Sequence, residues 1–141
     1  DKISFDIMSF GMDVASGVTD ERLNLIEQQA PTSIVGKMLN FPMPHLNKVF
    51  PNLDLGDDFR TKPKSDIPTL LFSGTLDGRT YVQSQYEATA GLNNLTKVIV
   101  KNAGHNLFML TPKVTETIKT FLSDKSIEEK EIEFTLPPFV K

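Results

Sequence analysis

The stretch Ile67-Pro68-Thr69-Leu70-Leu71-Phe72-Ser73-Gly74-Thr75-Leu76-Asp77-Gly78-Arg79-Thr80 decides how the chain is read. Its apolar half, residues 67–73 with Leu70, Leu71 and Phe72 in succession, suits a strand buried on both faces of a parallel sheet, where neither face meets water. Residues 74–79 read as a loop by composition. Residues 80–90 predict a helix, with Thr80 and Gln83 as a capping box and Gly91 placed to end it in a left-handed conformation. Residues 97–101, with Val98, Ile99 and Val100, predict a second buried strand, and a loop over 102–106 follows. Thr111 then offers a cap with Pro112 at the first helical position, and Val114, Ile118, Phe121 and Leu122 share one helical face. Alternating strands and helices predict an α/β fold with parallel strands joined by right-handed crossovers.

Two strands are too few for a doubly wound sheet, and strands buried on both faces need neighbours along their edges. The reading therefore expects part of the sheet to be supplied from outside residues 1–141. It also expects an unpaired edge through which copies of the chain self-associate or exchange strands. Upstream, residues 1–60 read as short helices broken by Pro and Gly. Thr19, followed by Asp20 and Glu21, caps and charges one helix start, with Leu23 and Ile26 as its buried stripe before Pro31. Ile34, Val35, Met38 and Leu39 have helical spacing, whereas Phe41-Pro42-Met43-Pro44 cannot continue a helix. Three segments follow: a helical segment over 1–60 with a thin core, an α/β body over 61–124, and a tail over 125–141. Residues 62–66 are a polar linker, 125–131 a charged, solvated connector, and 132–140 an apolar stretch that packs against the body.

The bulk numbers exclude several classes of function. The 141 residues suffice for one domain, and 39% hydrophobic with 23% charged residues, ten Phe and two Tyr make an ordinary globular composition. A formal net charge of -3 leaves no positive field for phosphates, so no nucleic-acid partner is expected. The absence of Cys excludes disulfides, thiol catalysis and cysteine-ligated metal. No apolar run approaches the ~20 residues of a membrane span. The amino end lacks a signal-peptide pattern, and the compartment stays open. Because the chain begins at Asp1 and not at Met, an upstream portion is expected.

In open α/β sheets, functional groups gather at the carboxyl ends of the strands. Asp77 follows the first strand by four residues, and His105 follows the second by four. Adjacent strands would hold a carboxylate beside an imidazole, the arrangement in which an acid sets the tautomer of a histidine base. The residues 67–80 quoted above, followed by Asn102-Ala103-Gly104-His105, resemble the end of the α/β-hydrolase core, and most of all the prolyl and tripeptidyl aminopeptidase-like branch. Leu53-Asp54-Leu55-Gly56-Asp57-Asp58-Phe59-Arg60 resembles the segment by which that branch returns from its helical lid, and Leu136-Pro137-Pro138 resembles its terminal tail. A fainter likeness rests on Met12-Asp13-Val14-Ala15-Ser16-Gly17.

The resemblance implies the carboxy-terminal part of an α/β-hydrolase fold, parallel strands with flanking helices, preceded by a helical lid segment over 1–60. It implies Asp77 as the acid of a serine-hydrolase triad and His105 as the general base, with Gly104 allowing a tight turn before the histidine. The chain departs from the family in one respect: none of its nine Ser residues lies in G-x-S-x-G, so the nucleophile is expected upstream, in the missing part of the core. Ser73 belongs to the acid loop and is not read as a nucleophile. Arg79 is a candidate for the site mouth, and the acids Asp13, Glu21 and Glu27 are candidates for pairing with the free amine of a peptide substrate. His45 reads as a packing or surface residue; with His105 it offers too few ligands for a metal site. Neither cofactor nor metal is expected. The implied function is hydrolysis by acyl transfer to water, of a peptide with a free amino end or of a small ester. The alternative is a stand-alone, non-catalytic binding or interaction domain.

Overall fold

The computed structural model describes residues 7–38, 46 and 49–138. They fall into two compact units that divide between Thr61 and Lys62. Phe41-Pro42-Met43-Pro44, Leu39 and His45 lie outside the described residues.

The first unit contains α1 (Ile7–Ser16), α2 (Asp20–Gln29) and α3 (Gly56–Arg60), with 3-10 turns at Ala30–Thr32 and Pro51–Leu53. Helix α1 ends where Gly17 takes a positive φ of 63° and donates its amide to the Asp13 carbonyl. Its last carbonyls find partners from the return segment. Leu55 N donates to Ala15 O at 3.0 Å, and Arg60 Nη1 donates to Ser16 O at 3.2 Å. The Arg60 guanidinium also reaches Asp54 Oδ1 at 2.6 Å and Asp57 Oδ1 at 3.0 Å. With the Gly56 amide it holds the Asp54 carboxyl below the ordinary carboxylate range. Any side chain at Gly17 would run into this guanidinium.

Thr19 caps α2 as its position suggests, accepting from Arg22 N at 3.3 Å. The expected stripe is shallower than the spacing implies, because Leu23 and Ile26 are half-buried and α2 has no fully buried residue. Ile34, Val35 and Met38 form no helical face; they sit in exposed turns around Gly36, whose φ of 53° breaks helical continuation. Among the described residues of this unit, only Val14 has a fully buried apolar side chain.

The second unit runs β1 (Thr69–Gly74), α4 (Val82–Ala88), β2 (Leu95–Lys101), α5 (Pro112–Leu122) and β3 (Glu131–Glu133). All pairing is parallel, in the order β1-β2-β3. Strand β1 starts at Thr69 because Pro68 has no amide to donate, and the pairing resumes upstream as a bridge between Ser65 and Leu92. The linker thus runs beside Gly91, where a Cβ would stand 2.2 Å from the Pro63 carbonyl oxygen. That close approach, and not a left-handed helix end, is what requires glycine there.

Helix α5 is capped as expected, with Thr111 accepting from Val114 N at 3.3 Å and Pro112 at its start. Val98 and Val100 of the central strand, Ala103, Leu107, Val114 and Ile132 form the core, and Leu70, Phe72, Ile118 and Phe134 pack against it.

The third strand corrects the expectation of two. Glu131 closes the charged connector and Ile132 opens the apolar stretch expected to pack against the body, with no strand expected across that boundary. Yet Val100 pairs with Ile132, and Ile132 is completely buried. The neighbouring charges are paired on the surface, Lys101 with Glu131 at 2.6 Å and Lys113 with Glu129 at 2.7 Å. Such exposed pairs are screened by water and contribute little. Docking of β3 therefore rests on Ile132. Replacing it with Ala is expected to cost about 2–5 kcal/mol, read as a lowered urea midpoint by far-UV circular dichroism.

Candidate active site

The register that pairs Gly74 with Val100 brings the chain leaving β1 and the chain leaving β2 side by side at their carboxyl ends. Hydrogen bonds knit the two loops. Thr75 N donates to Val100 O at 3.1 Å, Leu76 N to Ala103 O at 2.9 Å, and Asn102 N to Thr75 Oγ1 at 2.9 Å. Asn102 turns the chain out of β2 at a φ of 60°, a conformation that Asn tolerates better than most side chains. Glycine is needed at Gly74, where a Cβ would stand 2.4 Å from the carbonyl oxygens of both Ala103 and Gly104. At Gly104, by contrast, a Cβ would meet open space and φ is not positive, so neither close approach nor a left-handed backbone requires glycine before His105.

Asp77 leaves this joint with its side chain 2% exposed. Four donors meet its carboxylate: the amides of Arg79 and Thr80 at Oδ1, 2.9 and 3.0 Å away, and Thr80 Oγ1 at 2.7 Å with His105 Nδ1 at 3.0 Å at Oδ2. The Thr80 amide chiefly, then the Thr80 hydroxyl, His105 and the Arg79 amide, outweigh burial and hold the carboxyl far below its ordinary range. An ionised carboxylate only accepts hydrogen bonds, so the proton between it and His105 resides on Nδ1. Nε2 then carries the lone pair, on a side chain 39% exposed. Chemically, a carboxylate and imidazole in this contact can accept a proton at Nε2 while the carboxylate balances the charge on the ring.

Residues 54–133, more than half of the chain, match the model of the family described as TAP-like protein. The chain belongs to this α/β-hydrolase family. No curated protein and no solved structure matches it. The TAP-like match spans both loops of the Asp77–His105 pair and closes at the last residue of β3. It corresponds to the prolyl and tripeptidyl aminopeptidase-like branch, and the small parallel sheet with flanking helices agrees with the carboxy-terminal part of that fold.

Of the other residues singled out from the sequence of this TAP-like chain, Arg79 contributes its amide to Asp77 and leaves its side chain exposed. Asp13, Glu21 and Glu27 are exposed residues of the first unit, and Glu27 is ion-paired with Lys37. Among the described residues no group of three metal-ligating side chains exists, and no helix is long and apolar enough to cross a membrane. Ser73 is buried, and its hydroxyl donates to Gln85 Oε1 at 2.7 Å.

Thr80 departs from the capping-box expectation. Its hydroxyl is drawn to the charged Asp77, Gln83 donates to Glu87 instead, and helix α4 begins at Val82 behind an N-cap, Tyr81, that makes no side-chain cap bond. The sequence signal was Asp77 itself in a loop, an Asx-turn former that bonds the amide two residues on, at Arg79.

Two outcomes are expected. Gly74→Ala drives a methyl group into two carbonyl oxygens and costs about 1–3 kcal/mol in urea unfolding. Because folded Asp77 holds its proton less tightly than an unfolded aspartate, it stabilises the native chain above about pH 4, and that contribution is lost as pH falls below this value. Asp77→Asn should therefore flatten the acid limb of stability measured from about pH 7 to about pH 2; an unchanged limb contradicts the assignment.

Proposed function

We propose that this chain supplies the acid and the base of a serine hydrolase that cleaves peptides from a free amino end, with the nucleophilic serine provided by a segment outside residues 1–141. The observation that carries the reading is the 3.0 Å contact between His105 Nδ1 and the buried, ionised Asp77, at the ends of adjacent parallel strands. Two further features support it: none of the nine serines lies in G-x-S-x-G, and β1 has one sheet partner among the described residues, leaving an edge for the rest of the core. On this reading residues 1–60 belong to the lid, 61–124 to the core and 125–141 to the tail.

The reaction is acyl transfer to water. The serine Oγ attacks the carbonyl carbon while His105 Nε2 takes its proton. Collapse of the tetrahedral intermediate breaks the carbon–nitrogen bond, and His105 returns the proton to the leaving amine. Water, deprotonated by His105 in turn, releases the acid product. Asp77 stays ionised throughout and stabilises the imidazolium. Asp13, Glu21 and Glu27 are the lid carboxylates proposed to pair with a substrate ammonium group, Glu27 in exchange for its ion pair with Lys37.

The chain alone should take up no serine-directed fluorophosphonate; a labelled serine found by mass spectrometry within residues 1–141 overturns this division of labour. In the polypeptide that also supplies the nucleophile, His105→Ala should abolish labelling, and Asp77→Asn should lower turnover by about 10⁴-fold. Undiminished turnover in His105→Ala removes it from the mechanism. Faster cleavage of N-blocked peptides or simple esters than of free-amine peptides would redirect the substrate assignment to an esterase.

A further inference from the structure

Behind the Asp77–His105 pair lies a run of side chains that acid–base chemistry alone does not require. Thr80 Oγ1 stands 2.7 Å from Asp77 Oδ2 and 3.3 Å from His105 Nδ1. Gln85 backs it: Nε2 donates to the Thr80 carbonyl at 2.5 Å and lies 3.5 Å from Thr80 Oγ1. Gln85 Oε1 in turn accepts from Ser73 Oγ at 2.7 Å, and Ser73 is 1% exposed.

The proton order along this run follows from the acceptors at its ends. The Thr80 carbonyl only accepts, so the amide nitrogen of Gln85 must face it and the amide oxygen must face Ser73. Ser73, shut away from water, then gives its single proton to that oxygen. At the other end His105 Nδ1 already carries a proton, so the Thr80 hydroxyl donates to the carboxylate. The donors are thereby assigned along the run, and turning the Gln85 amide over would set its oxygen against the Thr80 carbonyl oxygen.

We infer that Thr80 is a positioning residue for the Asp77–His105 pair, locked in place by Gln85, which Ser73 anchors. The two amides of residues 79 and 80 pin Oδ1 only, and a carboxylate held at one oxygen can still turn about its last bond. The Thr80 hydroxyl fixes the second oxygen opposite His105 and closes it to water. Both the helix α4 brace and the β1 strand end thus serve one oxygen atom. This inference rests on the acid–base reading of the pair.

The test uses this chain, without a nucleophile, and reads the His105 Nδ1 proton by ¹H NMR as a far-downfield resonance identified by its loss in His105→Gln. Thr80→Val keeps the shape and deletes the hydroxyl; exchange of that proton with water should quicken by about tenfold, the loss of one hydrogen bond to a charged group. Thr80→Ser should restore the slow exchange, which a purely structural role for the threonine methyl would not. Gln85→Leu leaves Thr80 intact, and the same quickening in that variant tests the brace even if Thr80→Val does not fold. A resonance unchanged in shift and exchange in either folded variant overturns the positioning role and spares the proposed function. Absence of any His105-dependent downfield proton in the unaltered chain overturns the pair itself.

Discussion

Asp77 keeps a negative charge although its side chain is almost wholly out of water, and four hydrogen bonds to two oxygens sustain it. A buried carboxylate without such donors would take up a proton instead. Three of the four come from its own loop, from Arg79 and Thr80, and span only two or three residues. The fourth, from His105, comes from 28 residues away and depends on the sheet. Around this one group the second unit is organised: parallel pairing of β1 with β2 aligns the two strand ends, and Gly74 lets the loops approach within carbonyl contact.

The core beneath is small and centred on β2. Val98 and Val100 are fully buried because β1 covers one edge of the strand, β3 covers the other, and α5 presents Val114 and Ile118. The third strand contributes a single core side chain, Ile132, and the ion pairs beside it lie at the surface. In the first unit a different device is used. There the return segment satisfies the end of α1 through Arg60 and Leu55, and among the described residues of the unit Val14 is the fully buried apolar side chain.

Local chemistry explains which features were legible in the sequence. The Thr111 cap with Pro112, the Thr19 cap and the apolar runs of β1 and β2 are encoded within a few residues, and the structure contains each of them, whereas of the α5 stripe Val114 is buried and Leu122 is exposed. Asp77 and His105 could be placed at strand ends because parallel strands put functional loops on one side. Expectations failed where a distant group competed for a local one. Thr80 was expected to cap a helix, but a buried carboxylate is the stronger acceptor. Glycines 91 and 104 were read as backbone pivots, whereas Gly91 and Gly74 are the positions at which neighbouring carbonyls leave no room for a Cβ.

The sequence by itself therefore determined the alternation of strands and helices, the helix caps, the family and the two loops that carry the acid and the imidazole. Only the tertiary structure decided that Glu131–Glu133 is a strand, that Gly74 is the joint between the loops, and that Ser73, Gln85 and Thr80 converge on Asp77. The reason is the range of the interactions. Periodicity and capping act over three or four residues, while the bond from Ser73 to Gln85 spans 12 and that from His105 to Asp77 spans 28. Contacts at such separations exist only after the sheet has brought its strand ends together.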